Sequence, residues 1–422
     1  MKLYKGNILF TKQSNRFEVI ANGYIAVENG CVTAVYDHLP DELQNAEVVD
    51  YGDRLIIPAM NDLHVHAPQY RNMGMAMDLE LLPWLNTYTF PEEAKYANLD
   101  YAKAMYSRFV KNLWRVGTMR TVAFASVHKP ATELLLTLFE KSGMGAMVGK
   151  VNMNRNCPDN ISETVEKAVA DDIDLIEHWG DSKRLVRTIL TPRFVPSCTP
   201  EMLTEIGKLA KKYQMPVQSH LSENKSEIAW VKELEPESTC YGDAYNRYGL
   251  FGQTPTLMAH CCYTDGAELE LMKRQGVMVV HCPHSNSDLG SGKAPIRRFL
   301  QNGIPVALGS DISGGHDISM FRVMTHAIQI SKLIYAETDK ATAFLTLPEA
   351  FYLATKSGGS FFGKVGSFEA GYEFDALVID DAALNYGDYT LLERLERFVY
   401  LGDDRQIVAR FVRGNEIKEP EF

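Results

Sequence analysis

The sequence lacks an excess of positive charge. Its 422 residues include 43 lysines and arginines against 54 aspartates and glutamates, so the formal net charge is −11 with histidine neutral. A protein that neutralises phosphates or anionic lipids needs a basic surface. Duplex nucleic acid and anionic membranes are therefore unfavourable partners, whereas a small uncharged molecule remains compatible with this composition.

Paired cysteine motifs and long apolar runs are also absent. The seven cysteines form no C-x-x-C pair, and an odd number leaves at least one thiol outside any disulfide scheme. The sequence has no stretch of about 18 uninterrupted apolar residues, and its first residues do not have the pattern of a signal peptide. We therefore expect a reduced, cytoplasmic protein without a membrane span.

The rest of the composition is typical of a folded globular protein, with 45% hydrophobic and 23% charged residues. Both ends of the chain are rich in β-branched and aromatic residues, and Asn22-Gly23 and Asn29-Gly30 favour tight hairpin turns. We predict that residues 1–54 and 367–422 pair into one small, discontinuous β-sandwich domain, a β-sheet built from both termini.

The middle of the chain alternates short apolar runs with amphipathic stretches, as βα units do. Two clear amphipathic stretches lie at 101–117 and 200–213. Eight apolar runs are present, at 54–66, 119–126, 145–153, 185–194, 215–223, 256–263, 277–285 and 304–311. This pattern predicts an α/β fold with a TIM-like (β/α)8 barrel over residues 55–366, whose catalytic groups gather where the strands end.

Polar residues suited to metal binding or acid–base chemistry stand at the ends of most of these runs. They are His64, His66, His220, Glu223, His260, His281 and Asp311. Residues i and i+2 of a strand point to the same face, so His64 and His66 can reach one ion. Together with His220 and Asp311 they offer three nitrogens and one oxygen, a set that suits Zn²⁺ and is also open to Fe²⁺.

Each of these residues also has a purely structural interpretation. An H-x-H pair occurs in ordinary strands, His260 or His281 alone would be a core histidine, and Asp311 alone would cap a loop. Their coincidence at predicted strand ends favours a metal site. His284 and His316, just beyond the seventh and eighth strands, are compatible with either interpretation.

Four sequence blocks resemble the guanine deaminase family of the amidohydrolase superfamily. They are HVHAPQY (64–70) with LLPWLNTYTFPEE (81–93), TPRFVPSC (191–198), QSHLSEN (218–224) with MAHCCY (258–263), and HCPHSNSDLGSG (281–292) with GSDISGG (309–315). The resemblance runs from about residue 55 to the segment GSFEAGYEFDALVID. Two departures are His284, where the family usually has asparagine, and GSDISGG, where GTDVAGG is commoner; neither removes a ligand.

The resemblance implies roles for the matching residues. The implied ligands of a single Zn²⁺ are His64, His66, His220 and Asp311. Glu223 is implied as the proton shuttle and His260 as the histidine beside the metal-bound water. The implied guanine contacts are Gln69, Arg193, Phe194, His220, Glu223 and Asp311. The activity implied is hydrolytic deamination of guanine to xanthine and ammonia, by attack of metal-bound hydroxide at C2, in a homodimer.

Donor and acceptor counts agree with that substrate if Gln69 and Arg193 face the base. Gln69 offers a donor and an acceptor, whereas Arg193 offers donors only, so an edge with a carbonyl and an acceptor nitrogen fits better than an adenine-like edge. Arg193 could instead form a structural ion pair. Trp84, Tyr88 and Phe90 either wall the pocket or pack a loop against the barrel.

Three other functions remain open at this point. The protein could deaminate another aminated heterocycle, such as cytosine, a pterin or a thiolated adenosine. It could be a two-metal hydrolase with a bridging carboxylated lysine, for which Lys150 is the nearest candidate. It could also be a non-catalytic scaffold, which would have gaps in the ligand set that this sequence does not have.

Overall fold

The structure, a computed structural model, describes residues 1–422. Its strands in chain order are β1 (Lys2–Gln13), β2 (Arg16–Glu28), β3 (Cys31–Tyr36), β4 (Glu47–Pro58), β5 (Met60–His66), β6 (Thr118–Phe124), β7 (Gly145–Gly149), β8 (Val151–Asn152), β9 (Val186–Thr188), β10 (Thr191–Pro192), β11 (Val217–Leu221), β12 (Thr256–His260), β13 (Met278–His281), β14 (Val306–Leu308), β15 (Ala376–Ile379), β16 (Ile407–Val412) and β17 (Asn415–Glu416).

Fourteen α-helices connect and cover these strands. They are α1 (Leu81–Trp84), α2 (Phe90–Glu93), α3 (Leu99–Arg115), α4 (Lys129–Ser142), α5 (Val165–Trp179), α6 (Pro200–Tyr213), α7 (Lys225–Leu234), α8 (Tyr241–Arg247), α9 (Gly266–Gln275), α10 (Pro283–Asp288), α11 (Ile296–Gln301), α12 (Met320–Glu337), α13 (Leu347–Tyr352) and α14 (Leu391–Leu401). None of them combines the length and the hydropathy needed to cross a membrane.

Strands from both ends of the chain form one seven-stranded sheet, in the order β17-β16-β15-β4-β1-β2-β3. One face encloses a core of its own that includes Ile8, Ile56 and Val378. Alternate residues such as Leu9 and Leu55 point the other way, into the large core of the molecule, as the two-residue period of a strand requires. Strands from both termini therefore share one hydrogen-bonded sheet, while the β-sandwich domain and its bounds at residues 54 and 367 remain a prediction.

The eight apolar runs of the middle segment all contain strands, and these form two parallel sheets of four strands. Their orders are β5-β6-β7-β9 and β11-β12-β13-β14. The runs 145–153 and 185–194 each contain two short strands, because β8 and β10 pair only with each other beyond the main sheet. Here the backbones approach closely, since a Cβ added at Gly149 would lie 1.7 Å from Thr191 Oγ1.

Backbone hydrogen bonds connect the two parallel sheets at both edges. At one seam the Gln218 amide donates to the Leu190 carbonyl (3.0 Å). At the other, the Asp311 amide donates to the His64 carbonyl (2.8 Å) and the His66 amide to the Ile312 carbonyl (2.9 Å). The fold is of the TIM-barrel α/β type, in which parallel strands bring their carboxyl ends to one side of the molecule.

The predicted amphipathic stretches are helices α3 and α6. In α6 the Thr199 hydroxyl accepts a hydrogen bond from the Met202 amide (3.3 Å) as an N-cap, and Pro200 occupies the first turn, where its missing N–H costs nothing. Buried side chains recur every three or four residues, and the helix ends where Gln214 adopts φ of 54°. Local sequence signals thus set both ends of this helix.

Candidate active site

The ends of β5, β11 and β12 and the residue that follows β14 by three positions place four histidines and one aspartate together. His64 Nε2 lies 3.2 Å and His66 Nε2 3.6 Å from Asp311 Oδ1. His66 Nε2 lies 3.1 Å from His220 Nε2. His260 Nε2 is 3.7 Å from the other carboxylate oxygen, Asp311 Oδ2. All five side chains are buried, at the carboxyl ends of strands from both parallel sheets.

Two of these residues reach the cluster through left-handed backbone. His260 has φ of 72° and Asp311 has φ of 50°, values that non-glycine residues seldom adopt. Leu257 and Ala259 share one face of β12 and pack in the same apolar cluster, so regular alternation would direct His260 to the opposite face; its left-handed conformation interrupts that alternation. Such strain is characteristic of functional sites.

The histidine nitrogens have the arrangement of a metal site. Ligand atoms of His64, His66 and Asp311 lie within 4.8 Å of one another, as do those of His64, His220 and His260. His64 Nε2 is buried, and its 3.2 Å contact with Asp311 Oδ1 lacks the angle of a good hydrogen bond. The Nε2 atoms of His66 and His220 face each other at 3.1 Å, so the donor set fits one bound metal ion.

The protonation states support this arrangement. Burial, with the neighbouring His64, holds the pKa of His66 and of His220 well below the usual range, so both rings are neutral. His220 Nδ1 lies 2.6 Å from the Arg193 carbonyl, which fixes the proton on Nδ1 and leaves Nε2 free as a ligand. Burial alone would raise the pKa of Asp311, but the nearby histidines hold it far below its usual range.

Glu223 lies beside this cluster and faces His260. Its Oε2 is 3.4 Å from His260 Nε2, and the Ser291 hydroxyl donates to its Oε1 (2.9 Å). Burial raises the pKa of Glu223 against the opposing effect of His260. Burial lowers the pKa of His260, but Glu223 and Asp311 outweigh it and the net shift is upward. His260 Nδ1 lies 2.9 Å from Asn286 Oδ1, so a carboxyl and an imidazole are held in position for proton transfer.

A pocket that is partly open to solvent lies over these groups. Its polar wall contains His66, Gln69, Arg193, His220, Glu223, His260 and Asp311. Its apolar wall contains Leu81, Trp84, Leu85, Phe194 and Leu289. Trp84 therefore lines the pocket, whereas Phe90 lies behind it, with its ring centre 5.2 Å from the Arg193 guanidinium.

Gln69 and Arg193 meet at a third residue, Glu93. Gln69 Nε2 donates to Glu93 Oε1 (2.8 Å), and Arg193 Nη1 donates to Glu93 Oε2 (2.7 Å) and Oε1 (3.0 Å). The Ser313 amide donates to Gln69 Oε1 (3.2 Å). Arg193 thus forms the ion pair considered above and also lines the pocket.

His281 and Lys150, two candidates considered from the sequence, lie outside this pocket. His281 shares its strand face with Val279, which packs toward the helices, and lines a separate cavity between α11 and α12. Lys150 is fully buried and donates to both carboxylate oxygens of Glu163 (2.7 and 2.8 Å). Its ammonium is therefore held in an ion pair away from the histidine cluster and is unsuited to carboxylation.

His284 and His316 form a separate group with His326. The His284 ring centre lies 4.5 Å from that of His316 and 4.6 Å from that of His326. His316 Nδ1 lies 2.6 Å from Asp288 Oδ2.

Three residues that contact the site were not identified from the sequence, and Cys282, expected near the site without a ligand role, lies close to it. Glu93, Asn286 and Ser291 contact pocket residues through the bonds given above, and Cys282 Sγ lies within 4.8 Å of ligand atoms of His260 and Asp311. Burial raises the pKa of Cys282 well above its usual value, so it remains a thiol. Glu93, Asn286 and Ser291 all lie inside the blocks that carry the family resemblance, as does Cys282, and this resemblance was the one signal available for the first three.

Comparison with known proteins agrees with this geometry. Residues 55–417 match the model of the amidohydrolase family. A guanine deaminase of Dictyostelium discoideum is 36% identical over 99% of this chain and 98% of its own, and one of Escherichia coli strain K12 is 35% identical over 90% and 86%. The crystal structure of a guanine deaminase from C. acetobutylicum with bound guanine superposes with a TM-score of 0.97, at 54% identity, over 99% of this chain and 100% of that one.

The chain therefore belongs to the amidohydrolase family, and it is a hydrolase. Within that family it belongs with the guanine deaminases, since full-length similarity to several of them accompanies the shared fold. The family membership predicted from the sequence blocks is confirmed.

Proposed function

We propose that this protein catalyses the zinc-dependent hydrolytic deamination of guanine to xanthine and ammonia. The observation that carries the proposal is the position of Glu223. This buried carboxyl contacts His260 beside the metal-ligand set and lines the same pocket as Gln69 and Arg193. The C. acetobutylicum enzyme, whose structure holds guanine in its active site, supports the choice of substrate.

The proposed ligands are His64, His66, His220 and Asp311. Three neutral imidazoles and one carboxylate suit Zn²⁺, and Fe²⁺ accepts the same donors. When bound, such an ion lowers the pKa of a coordinated water to about 7, which supplies a nucleophile at neutral pH. The neutral state of the histidines, favoured by burial, is the state that binds metal.

Side chains of the protein transfer the protons and stabilise the charge that develops during the reaction. Asp311 keeps one oxygen, Oδ2, directed toward His260, and this oxygen can accept a proton from the attacking water. His260 stabilises the negative charge that develops as the tetrahedral carbon forms. Glu223 protonates the ring nitrogen next to C2. It then passes the proton that Asp311 took from the water to the departing amino group, because an amide ion cannot leave, and it is re-protonated by the hydroxyl on C2 as the carbonyl of xanthine forms.

Recognition of the base rests on donors at the opposite wall. In the proposed complex Arg193 and Gln69 hydrogen bond to the acceptor atoms of guanine. Phe194, Trp84 and Leu85 provide apolar faces on which a planar ring can stack. A largely uncharged base agrees with a pocket in which the single arginine is already neutralised by Glu93.

Ligands from both parallel sheets must hold one ion, so we propose that the eight strands close into a single (β/α)8 barrel. The backbone hydrogen bonds at both seams support this. The homodimer and the cytoplasmic location remain predictions. All seven cysteines are free thiols, which is compatible with a reducing compartment.

The test is ammonia release by the purified protein from guanine, adenine, cytosine, a pterin and a thiolated adenosine, together with zinc and iron analysis. We expect guanine to give the highest kcat/KM and the protein to contain near-stoichiometric zinc. A much better substrate among the others would replace guanine. A metal-free, inactive protein would revive the scaffold interpretation.

A further inference from the structure

Glu93 is a buried carboxylate behind the recognition wall, outside the set of residues that line the pocket. It is 1% exposed and lies at the end of helix α2. Its two oxygens accept all the hydrogen bonds that join it to Gln69 and Arg193. Glu93 thus contacts both proposed base-reading side chains without touching the base.

The partners of Gln69 have opposite polarity. Glu93 can only accept a hydrogen bond, so it requires the amide nitrogen of Gln69, and the Ser313 backbone N–H can only donate, so it requires the amide oxygen. If the Gln69 amide were flipped, its oxygen would face the Glu93 carboxylate and its NH₂ group would face the Ser313 backbone N–H, and neither pair could form a hydrogen bond. The orientation of the Gln69 amide is therefore fixed by chemistry.

Arg193 is constrained by the same carboxylate. Nη1 donates to both Glu93 oxygens, while the ring of Phe90 lies against the guanidinium. Nη1 is thereby occupied, and the donors directed elsewhere remain available to a ligand. Glu93 also compensates a positive charge that is only 3% exposed, and such a charge is costly to bury unpaired.

These constraints bear on the choice between bases. Guanine presents N7 and O6, two acceptors, whereas a 6-aminopurine presents N7 as an acceptor and its amino group as a donor. A glutamine that is free to flip can pair with either group at position 6. A glutamine fixed in one orientation beside an arginine pairs with only one of them.

We propose that Glu93 is a positioning residue that makes the pocket selective for 6-oxopurines over 6-aminopurines by locking the Gln69 amide and the Arg193 guanidinium. This inference rests on the proposed function. It adds a specificity element that acts through other side chains and takes no part in the chemical step.

The test variant is Glu93→Gln, which keeps the size of the side chain but replaces one acceptor oxygen with a donor. If the remaining oxygen stays on Gln69, the new N–H group faces the Arg193 guanidinium, and if it turns to Arg193, the N–H group faces the amide nitrogen of Gln69, so the two side chains can no longer be held together. The substrate pair is guanine and 2,6-diaminopurine, which differ in the group at position 6 and in the proton that guanine carries on the adjacent N1. Steady-state kinetics give KM and kcat for guanine, and inhibition of guanine deamination gives the inhibition constant of 2,6-diaminopurine.

We expect KM for guanine to rise about 10- to 100-fold with kcat changed less than about 3-fold, because the lost contacts hold substrate and transition state alike. The inhibition constant of 2,6-diaminopurine should stay level or fall. Glu93→Asp, which keeps the charge, should recover part of the selectivity.

The matched control is Glu92→Gln. Glu92 is the neighbouring residue and is equally buried, but it pairs with Arg71, Lys95 and Tyr101 on the side away from the pocket. The Glu92→Gln variant should leave the ratio of KM for guanine to the inhibition constant of 2,6-diaminopurine unchanged.

A parallel loss for both purines in Glu93→Gln would overturn the inference, as would an unchanged ratio. If Glu93→Gln does not fold, Glu93→Asp is the test variant. The inference is then refuted if the ratio of KM for guanine to the inhibition constant of 2,6-diaminopurine equals that of the parent. Failure of the parent protein to deaminate guanine would refute the proposed function instead, so the two failures are distinguishable.

Discussion

Replacing Glu223 with glutamine removes the proposed proton carrier while it preserves the size and shape of the side chain. In the structure Glu223 makes two polar side-chain contacts, one with the Ser291 hydroxyl at 2.9 Å and one with His260 Nε2 at 3.4 Å. The glutamine oxygen can keep the first. Its amide nitrogen cannot carry a proton to the ring nitrogen or to the amino group.

The expected loss follows from this difference. General acid–base catalysis by one positioned group contributes about 100- to 10,000-fold, which corresponds to about 3–5 kcal/mol of activation free energy. We therefore expect kcat of Glu223→Gln to fall within that range. Glu223 is absent from the proposed ligand set, so the metal content should stay at the parent level.

The assay is ammonia release from guanine, with zinc and iron measured on the same preparation. Glu227→Gln is the control. Glu227 is also fully buried, but it accepts the backbone N–H groups of Glu223 and Asn224 and the Tyr241 hydroxyl rather than facing the pocket. Glutamine serves equally well in such a capping box, so this variant should keep kcat within about 5-fold of the parent.

The shuttle role would be refuted by a Glu223→Gln protein that retains more than about a tenth of the parent kcat, since no acid–base contribution would then be missing. Loss of metal in the same variant would place Glu223 among the ligands instead.

Three further predictions concern the metal, the pH dependence of stability and the packing. His220→Ala should lose both metal and turnover, because it removes a proposed ligand; metal analysis that finds near-parent zinc would contradict this. Burial raises the pKa of Asp172 to about 7, so between about pH 4 and pH 7 the folded state binds a proton that the unfolded chain does not, and the free energy of unfolding falls as the pH rises. Asp172→Asn should remove that contribution, so its Tm relative to the parent should increase from about pH 5 to about pH 8; a constant difference would show that Asp172 does not titrate there. Gly149→Ala should lower Tm by several degrees or prevent folding, because the added Cβ would lie 1.7 Å from Thr191 Oγ1 and 2.5 Å from the Ile189 carbonyl; a Tm equal to that of the parent would mean that the strands separate at little cost.

Continuous apolar runs were sufficient to locate the parallel strands, and the helical spacing of apolar residues was sufficient to locate helices α3 and α6. A buried parallel strand must be apolar along its length, and an amphipathic helix must repeat every three to four residues. The same reasoning could not detect that β8 and β10 separate from the main strands. That break depends on the close approach of Gly149 to Thr191, which are distant in the sequence.

Strand-end chemistry was equally informative about the site, with one exception. His64, His66, His220, His260 and Asp311 come together, whereas His281 turns toward the helices with Val279. His260 reaches the cluster only because its backbone is left-handed. No sequence pattern predicts a left-handed backbone conformation for a histidine.

The sequence by itself determined which chemical groups stand at the ends of the parallel strands, because side-chain direction within an element follows from local periodicity. Only the tertiary structure decided which of them are partners. Glu93 forms an ion pair with Arg193, which is 100 residues away in the sequence, and Lys150 forms one with Glu163. Such pairs form where elements far apart in the chain pack together and must satisfy each other's buried charges, and no local rule of spacing contains that requirement.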